Sequence, residues 1–202
     1  SVTHPSNSAL QATTGTFSGN VTVNGTMTAT SFSGDGSALT GVSAGKVLQF
    51  KQFTSSTAVS STTVIPYEDT VPTATEGVQI MTASFTPTSA TSDIFILCNI
   101  FGNEHSNAVS TLAIPLFAGT THLQTGYISA RGGPGADGHT WGQTSFMTKH
   151  TPGSTATITY PVRGGCAGSS GTFESIGTAT SITNSKFGNT ILNTITIWEV
   201  ST

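Results

Sequence analysis

The chain has 202 residues and few charges: six Lys or Arg, nine Asp or Glu, and a net charge of −3 at pH 7. Six basic residues are too few for the positive surface that nucleic acid requires, and no apolar run approaches the ~20 residues that span a bilayer. With 39 threonines, 26 serines and 23 glycines, the composition favours strands and turns over helices. We therefore expect an all-β protein that neither binds nucleic acid nor is embedded in a membrane.

The first segment, residues 1–45, carries a single charge, at Asp35, and few apolar side chains. It is an approximate repeat, because residues 17–19 (F-S-G) recur at residues 32–34. Between the two copies, an alternating stretch surrounds Asn24-Gly25, a pair typical of a tight two-residue turn. The pattern predicts short strands joined by tight turns.

Such a segment buries too little apolar surface to offset its own ordering entropy. It is either disordered or completed by other chains, and the repeat favours the second reading because repeats bury their cores against neighbours. We predict a trimeric shaft about a shared axis. The candidate axis residues are the apolar ones: Phe17, Val21, Val23, Phe32, Leu39 and Val42.

The remainder, residues 46–202, alternates strand-like runs with turn residues and predicts one domain of about seven or eight strands, a β-sandwich or jelly roll. Residues 93–101 are apolar on both faces, which is expected of a central strand covered on both sides. The clearest predicted strands are residues 47–53, 62–67, 78–85, 93–101, 111–117, 156–162 and 191–200.

Two longer connections, residues 102–107 and 131–142, are candidates for contact with a receptor, because long loops in a compact domain are usually functional or disordered. Trp141 is the leading residue, although it can equally pin its loop to the domain or fill a contact between subunits. The candidate receptor-binding residues are Arg131, Asp137, His139 and Trp141 in the second connection, with Glu104 and His105 in the first.

Four stretches resemble the tail fibres of tailed bacteriophages. Residues 32–42 (F-S-G-D-G-S-A-L-T-G-V) resemble the motif that closes the fibre shaft, and residues 19–30 resemble its repeat. Residues 84–94 and the ending at residues 196–200 (T-I-W-E-V) resemble fibre-tip domains, although Thr88 and Asp93 stand where that family has Lys. The resemblance implies a homotrimer, a place on the virion outside the cell, and attachment to a bacterial surface.

The sequence shows no pattern of catalysis and no cofactor motif. The acidic residues form no recognisable glycosidase pair, and the Gly-x-Ser-x-Gly motif of hydrolases is absent. The five histidines form no His-x-His pair, so we expect no metal, although one histidine from each of three chains can in principle make a site. Cys98 and Cys166 are expected as two buried thiols, with a disulfide as the alternative.

Taken together, these features predict a short trimeric β-repeat shaft at residues 1–45 and a jelly-roll-like antiparallel β-sandwich head at residues 46–202. The predicted function is that of a fibre tip that attaches a phage to a bacterial surface glycan or outer-membrane component. Two alternatives stay open: a structural fibre segment without a receptor site, and a secreted trimeric adhesive head.

Overall fold

The computed structural model describes residues 15–16, 18–31, 33, 46–104, 111–129, 140–168, 171–176 and 190–202. The chain divides into two compact units, Ser1–Gly41 and Val42–Thr202. Among the described residues there is no helix, and the strands pair antiparallel, so the predicted all-β class with antiparallel sheets is confirmed. The assignment of the first unit to a trimeric shaft stays a prediction.

The first unit forms no strand in the single chain over its described residues, where short strands were predicted. Val21 and Val23 are 51% and 46% exposed, and Met27 is 54% exposed. The physical reason is that a strand needs a neighbour to pair with, and this segment has too few apolar side chains to collapse onto itself.

The second unit is built from ten strands in the part of the chain that the structure describes. Their bounds are β1 Val47–Ser55, β2 Val59–Ser61, β3 Val78–Phe85, β4 Asp93–Glu104, β5 Thr111–Ala118, β6 Thr121–Ser129, β7 Thr140–His150, β8 Ile158–Cys166, β9 Phe173–Ser175 and β10 Asn193–Val200.

These strands form two sheets. In the first sheet the order is β1-β10-β4, with β7 along one edge of β4 and the short β9-β2 ribbon at its end. In the second sheet the order is β3-β8-β5-β6. The core lies between the sheets, because alternate side chains of each central strand point inward. Ile94, Ile96, Cys98 and Ile100 of β4 are fully buried there, and Leu112, Ile114 and Leu116 of β5 face them from the other side.

Six of the seven predicted strands are present, and one prediction is wrong. Residues 62–67 form only an isolated bridge, from Ile65 to Ala167, in place of a strand. The sequence analysis did not predict β2, β6, β7 and β9. In particular, residues 140–142 belong to β7, where they had been placed in a loop. Residues 102–104 likewise extend β4.

Cys98 and Cys166 are both buried thiols, as expected. Burial raises the pKa of the Cys98 thiol to about 12, so this group is protonated and unreactive at neutral pH.

Candidate functional site

An open cleft of about 380 Å³ lies on the outer face of the second sheet. Its floor consists of outward-facing residues of β5 and β6, and its wall is the segment that follows Ile65. The lining residues are Ile65, Pro66, Tyr67, Glu68, Thr70, Pro72, Thr111, Ala113, Thr125, Tyr127, Ser129 and Ala167.

The floor follows from strand alternation along β6. Ile128 points into the core, which places Tyr127 on the outer face with 69% of its side chain exposed. Its cross-strand partner on β5 is Ala113, and the small methyl group there leaves the side of the phenol ring open. Thr125 and Ser129 share the outer face with Tyr127 because they lie two residues away along the strand.

The wall is held to the sheet by backbone hydrogen bonds at Ile65. The Ile65 amide donates to the Cys166 carbonyl at 3.0 Å, and the Gly168 amide donates to the Ile65 carbonyl at 3.0 Å. Ile65 itself is buried with 1% exposed. This anchor projects Tyr67 outward, where 85% of its side chain is exposed.

Gly168 fits closely beneath Tyr67. It has a φ of +70°, and a Cβ added there would lie 2.8 Å from the Tyr67 Cβ. Glycine is favoured at this position both because its φ is positive and because the approach leaves no room for a side chain. The backbone of Tyr67 is therefore fixed by packing, while its ring is left to solvent.

The polar groups of the cleft are neutral hydroxyls and one carboxylate. The Thr70 hydroxyl donates to Glu68 Oε1 at 2.6 Å, and Thr125 Oγ1 lies 2.8 Å from His122 Nε2. Burial lowers the pKa of His122, so this ring is mostly neutral at pH 7. Two exposed phenol rings together with these hydroxyls suit a ligand that offers both apolar faces and many hydrogen-bonding groups.

No group of three or more His, Cys, Asp or Glu residues that could hold a metal ion occurs in the described ranges. Over the same residues, no helix is long and apolar enough to cross a membrane.

The residues predicted to contact a receptor lie elsewhere or outside the described residues. Glu104 ends β4 and is buried with 1% exposed, where a loop position had been predicted. Trp141 lies in β7, and its backbone pairs with that of Asn103 in β4. The predicted contacts Arg131, Asp137, His139 and His105 lie outside the described residues, as do the axis candidates Phe17, Phe32, Leu39 and Val42.

A second polar site lies at the rim of the sandwich, around the buried carboxylate of Glu199. Its oxygens accept hydrogen bonds from the Thr88 amide at 2.8 Å, the Ser89 amide at 3.0 Å, the Ser92 hydroxyl at 2.6 Å and Gln49 Nε2 at 2.6 Å. Burial opposes ionisation, but the hydrogen bonds from Ser92, Thr88, Gln49 and Ser89 outweigh it and lower the pKa of Glu199 to about 2.

This contact joins the two head stretches that carry the family resemblance, because residues 88–92 lie in one and Glu199 in the other. The network satisfies every strong acceptor position of a carboxylate with donors from the protein itself. The motif therefore has a structural role here, which is to hold the 86–92 turn against β10.

Solved structures to which this fold is similar include two of infectious bursal disease virus. The structure of the Gx strain is 12% identical over 77% of this chain and 40% of that chain, with a TM-score of 0.30. The VP2 subviral particle is 13% identical over 76% of this chain and 40% of that one, with a TM-score of 0.24. This chain thus spans about two fifths of the length of the structures that it matches. No protein-family model and no curated protein matches the sequence.

The sequence analysis missed both tyrosines of the cleft. Tyr67 had been assigned to a strand, and Tyr127 fell in a strand that was not predicted. The signal that points to Tyr127 is the alternation Thr125, Tyr127, Ser129 against the inward Ile128, which a search for period-two patterns with polar members would have found.

Proposed function

We propose that this chain is the tip of a trimeric bacteriophage tail fibre and that it attaches the virion to a bacterial surface glycan through the cleft between Tyr67 and Tyr127. It acts by binding and has no catalytic step. The observation that carries the binding proposal is the pair of highly exposed phenol rings, 85% and 69%, on one hydroxyl-lined cleft.

The strand order supports a jelly roll. The four long strands of the first sheet run β1-β10-β4-β7, and they face β3-β8-β5-β6. Eight antiparallel strands divided between two sheets in this order form two Greek keys, an arrangement found in viral capsid and lectin domains. The sheet supplies a rigid platform, and the residues around Ile65 supply an anchored wall, which together suit a binding site fixed before the ligand arrives.

The chemistry of the cleft favours a saccharide. Tyrosine combines an apolar ring face with a hydroxyl at its tip and loses little conformational entropy on contact. A sugar ring presents an apolar C–H face and a rim of hydroxyls, and the side chains of Thr111, Thr125, Ser129 and Glu68 lie around the tyrosines to pair with that rim. The low charge of the chain agrees with a neutral polar partner.

The placement of the carboxylates supports a binding role in preference to catalysis. Glu199 is fully used by four donors of the fold, and the buried Glu174 accepts a hydrogen bond from Asn103 Nδ2 at 3.1 Å. In the cleft itself the lining contains one acidic side chain, Glu68. Glycoside hydrolysis in its usual form needs two carboxyl groups that flank the bond.

The test is binding of the purified full chain to a panel of immobilised bacterial lipopolysaccharides and capsular polysaccharides. Tyr67→Ala and Tyr127→Ala are each expected to weaken binding about tenfold, since ~1.4 kcal/mol of ring contact corresponds to a factor of ten. Val71→Ala is the matched control, because Val71 is 65% exposed in the same segment but does not line the cleft.

Full binding by both tyrosine variants would place the receptor site elsewhere on the chain. Binding to none of the polysaccharides would favour the alternative of a structural fibre segment.

A further inference from the structure

The outer face of the first sheet carries a contiguous cluster of five apolar side chains, bordered in the same rows by Lys149, Gln52 and Thr196. Register aligns Phe50 of β1, Trp198 of β10 and Phe95 of β4 in one row across the sheet. The next row ends with Leu97 of β4 opposite Met147 of β7. We call these five side chains the β1–β7 face.

The β1–β7 face is open to solvent in the single chain. Phe50 and Met147 are each 56% exposed, and Phe95, Leu97 and Trp198 are partly exposed. The Phe50 and Trp198 rings contact each other, with their centroids 5.7 Å apart. A contiguous cluster of exposed apolar residues is a candidate interaction surface in a folded domain. The sequence pattern of β4 predicted a strand covered on both sides, and the second cover is missing from the described strands of one chain.

We infer that a second copy of this chain covers the β1–β7 face, so that the three heads of the fibre pack against one another through their first sheets. This inference rests on the proposed trimer and assigns it a head interface. The axis residues predicted within residues 1–45 belong to the shaft, whereas the β1–β7 face belongs to the head.

The length of chain between the predicted shaft and β1 limits how far apart the copies can lie. Phe50 lies five residues after the predicted shaft, and five extended residues span at most about 18 Å. Three chains joined in a shaft therefore begin their β1 strands within a limited distance of one another, which raises the effective concentration of one β1–β7 face for the next.

The charges of the face allow identical copies to meet. On β1, β10, β4 and β7, the charged residues that share this face are Asp93 and Lys149, which form an ion pair at 3.0 Å. The face is thus neutral overall, and two copies approach without like-charge repulsion. The neighbouring outward groups are already paired in part, since Asn99 Nδ2 donates to Thr194 Oγ1 at 3.2 Å.

The size of the face favours a tethered copy over an independent partner. Four strands at ~4.8 Å spacing and two rows about 7 Å apart give a total area on the order of 300 Å², in which five of the eight positions are apolar. A stable complex of two separate proteins buries about 800 Å² on each partner. A face of this size is sufficient only where a shaft already holds the copies at high effective concentration.

The test uses methionine oxidation in the full chain after light scattering has measured its mass. The chain has three methionines; Met147 is 56% exposed in one chain and Met81 is 7% exposed. Exposed methionines react with hydrogen peroxide, and covered ones react slowly. The matched control is Thr82→Met, which puts a methionine at an exposed position on the outer face of the second sheet.

A trimer in which Met147 oxidises at least tenfold more slowly than the methionine introduced by Thr82→Met supports the inference. If Met147 and the introduced methionine oxidise at the same rate in a trimer, the inference is overturned, and the face would then be available to a different protein. A monomer overturns both the inference and the proposed trimer, whereas loss of polysaccharide binding alone bears only on the cleft.

A second measurement compares Met147→Lys with Thr82→Lys. Met147→Lys places one lysine from each chain, three in all, in the covered face. We expect it to raise by at least tenfold the protein concentration at which the trimer dissociates, while Thr82→Lys leaves that concentration unchanged. Equal dissociation of the two variants would also overturn the inference.

Discussion

The buried carboxylate of Glu199 gives the sharpest prediction about stability. In Glu199→Gln the side chain keeps its shape but loses its charge, and one of its oxygens is replaced by an NH₂ donor. In either orientation of the amide that NH₂ meets protein donors, because Oε1 accepts from the Thr88 and Ser89 amides and the Ser92 hydroxyl, and Oε2 accepts from the Thr88 amide and Gln49 Nε2. The variant therefore has unsatisfied donors in a buried position.

The size of the effect follows from the pKa. The usual value is 4.5 and the folded value is about 2, and one pKa unit corresponds to about 1.4 kcal/mol of stability. Thr88, which covers the carboxylate, is itself exposed, so solvent screens part of this interaction. We therefore expect Glu199→Gln to lower the free energy of unfolding by about 2 to 3 kcal/mol at pH 7.

The pH dependence has a definite sign. Because the folded pKa of Glu199 is depressed, its contribution to stability is present above pH 4.5 and is lost as the pH falls toward 2. In the wild-type chain the free energy of unfolding should fall across this window. In Glu199→Gln that part of the slope should be missing.

The assay is urea unfolding of the full chain at one fixed protein concentration, at pH 7 and at steps down to pH 2. Glu68→Gln is the control, because Glu68 is exposed and accepts a hydrogen bond from the Thr70 hydroxyl at the surface. A surface change of this kind should alter stability by less than about 0.5 kcal/mol. Equal stability of Glu199→Gln and the wild type, with the same slope below pH 4.5, would refute the reasoning.

Two further predictions concern the wall of the cleft and the shaft. Gly168→Ala should weaken polysaccharide binding, because the new Cβ displaces Tyr67. Gly119→Ala is the control: it carries similar backbone strain at φ +59° but has nothing within 4 Å of the new Cβ. Equal binding by the two variants in the polysaccharide assay would contradict the contact with Tyr67. Replacing Phe17 and Phe32 together with Ser should lower the melting temperature of the trimer while the head stays folded, as followed by circular dichroism and light scattering; an unchanged trimer melting temperature would count against an apolar shaft axis.

The strands that could be predicted from the sequence are those whose pattern is dominated by burial. β4 and β10 alternate Ile at inward positions, so their period of two is plain in the sequence. The strands that were missed lie at an edge or are short. β6 reads T-H-L-Q-T-G-Y-I-S; its two apolar residues that pack on the core, Leu123 and Ile128, are separated by a register shift, so its period of two is interrupted.

The candidate site could not be predicted because it depends on contacts between distant parts of the chain. Tyr67 reaches the cleft through the pairing of Ile65 with Ala167, a contact across about a hundred residues that no local pattern contains. Trp141 drew attention because it stands near a glycine-rich stretch, yet its backbone continues into β7. Local composition thus predicted a loop at residues 140–142, whereas pairing with β4 makes these residues part of β7.

The two surfaces of the head lie on opposite sheets. The tyrosine cleft is on the outer face of β5 and β6, and the β1–β7 face is on the outer face of the other sheet. Heads that pack through their first sheets would therefore leave all three clefts accessible. Receptor binding and association are thereby expected to be separable by mutation.

The most direct test of the proposed function is a nuclear magnetic resonance titration of the full chain with ¹³C-labelled tyrosine rings. The chain has three tyrosines: Tyr67 and Tyr127 line the cleft, and Tyr160 is fully buried in the core. Oligosaccharides from a polysaccharide that the chain binds should shift the ring signals of Tyr67 and Tyr127 and leave that of Tyr160 in place. Saturating ligand that moves neither Tyr67 nor Tyr127 would contradict the assignment of the receptor site to this cleft.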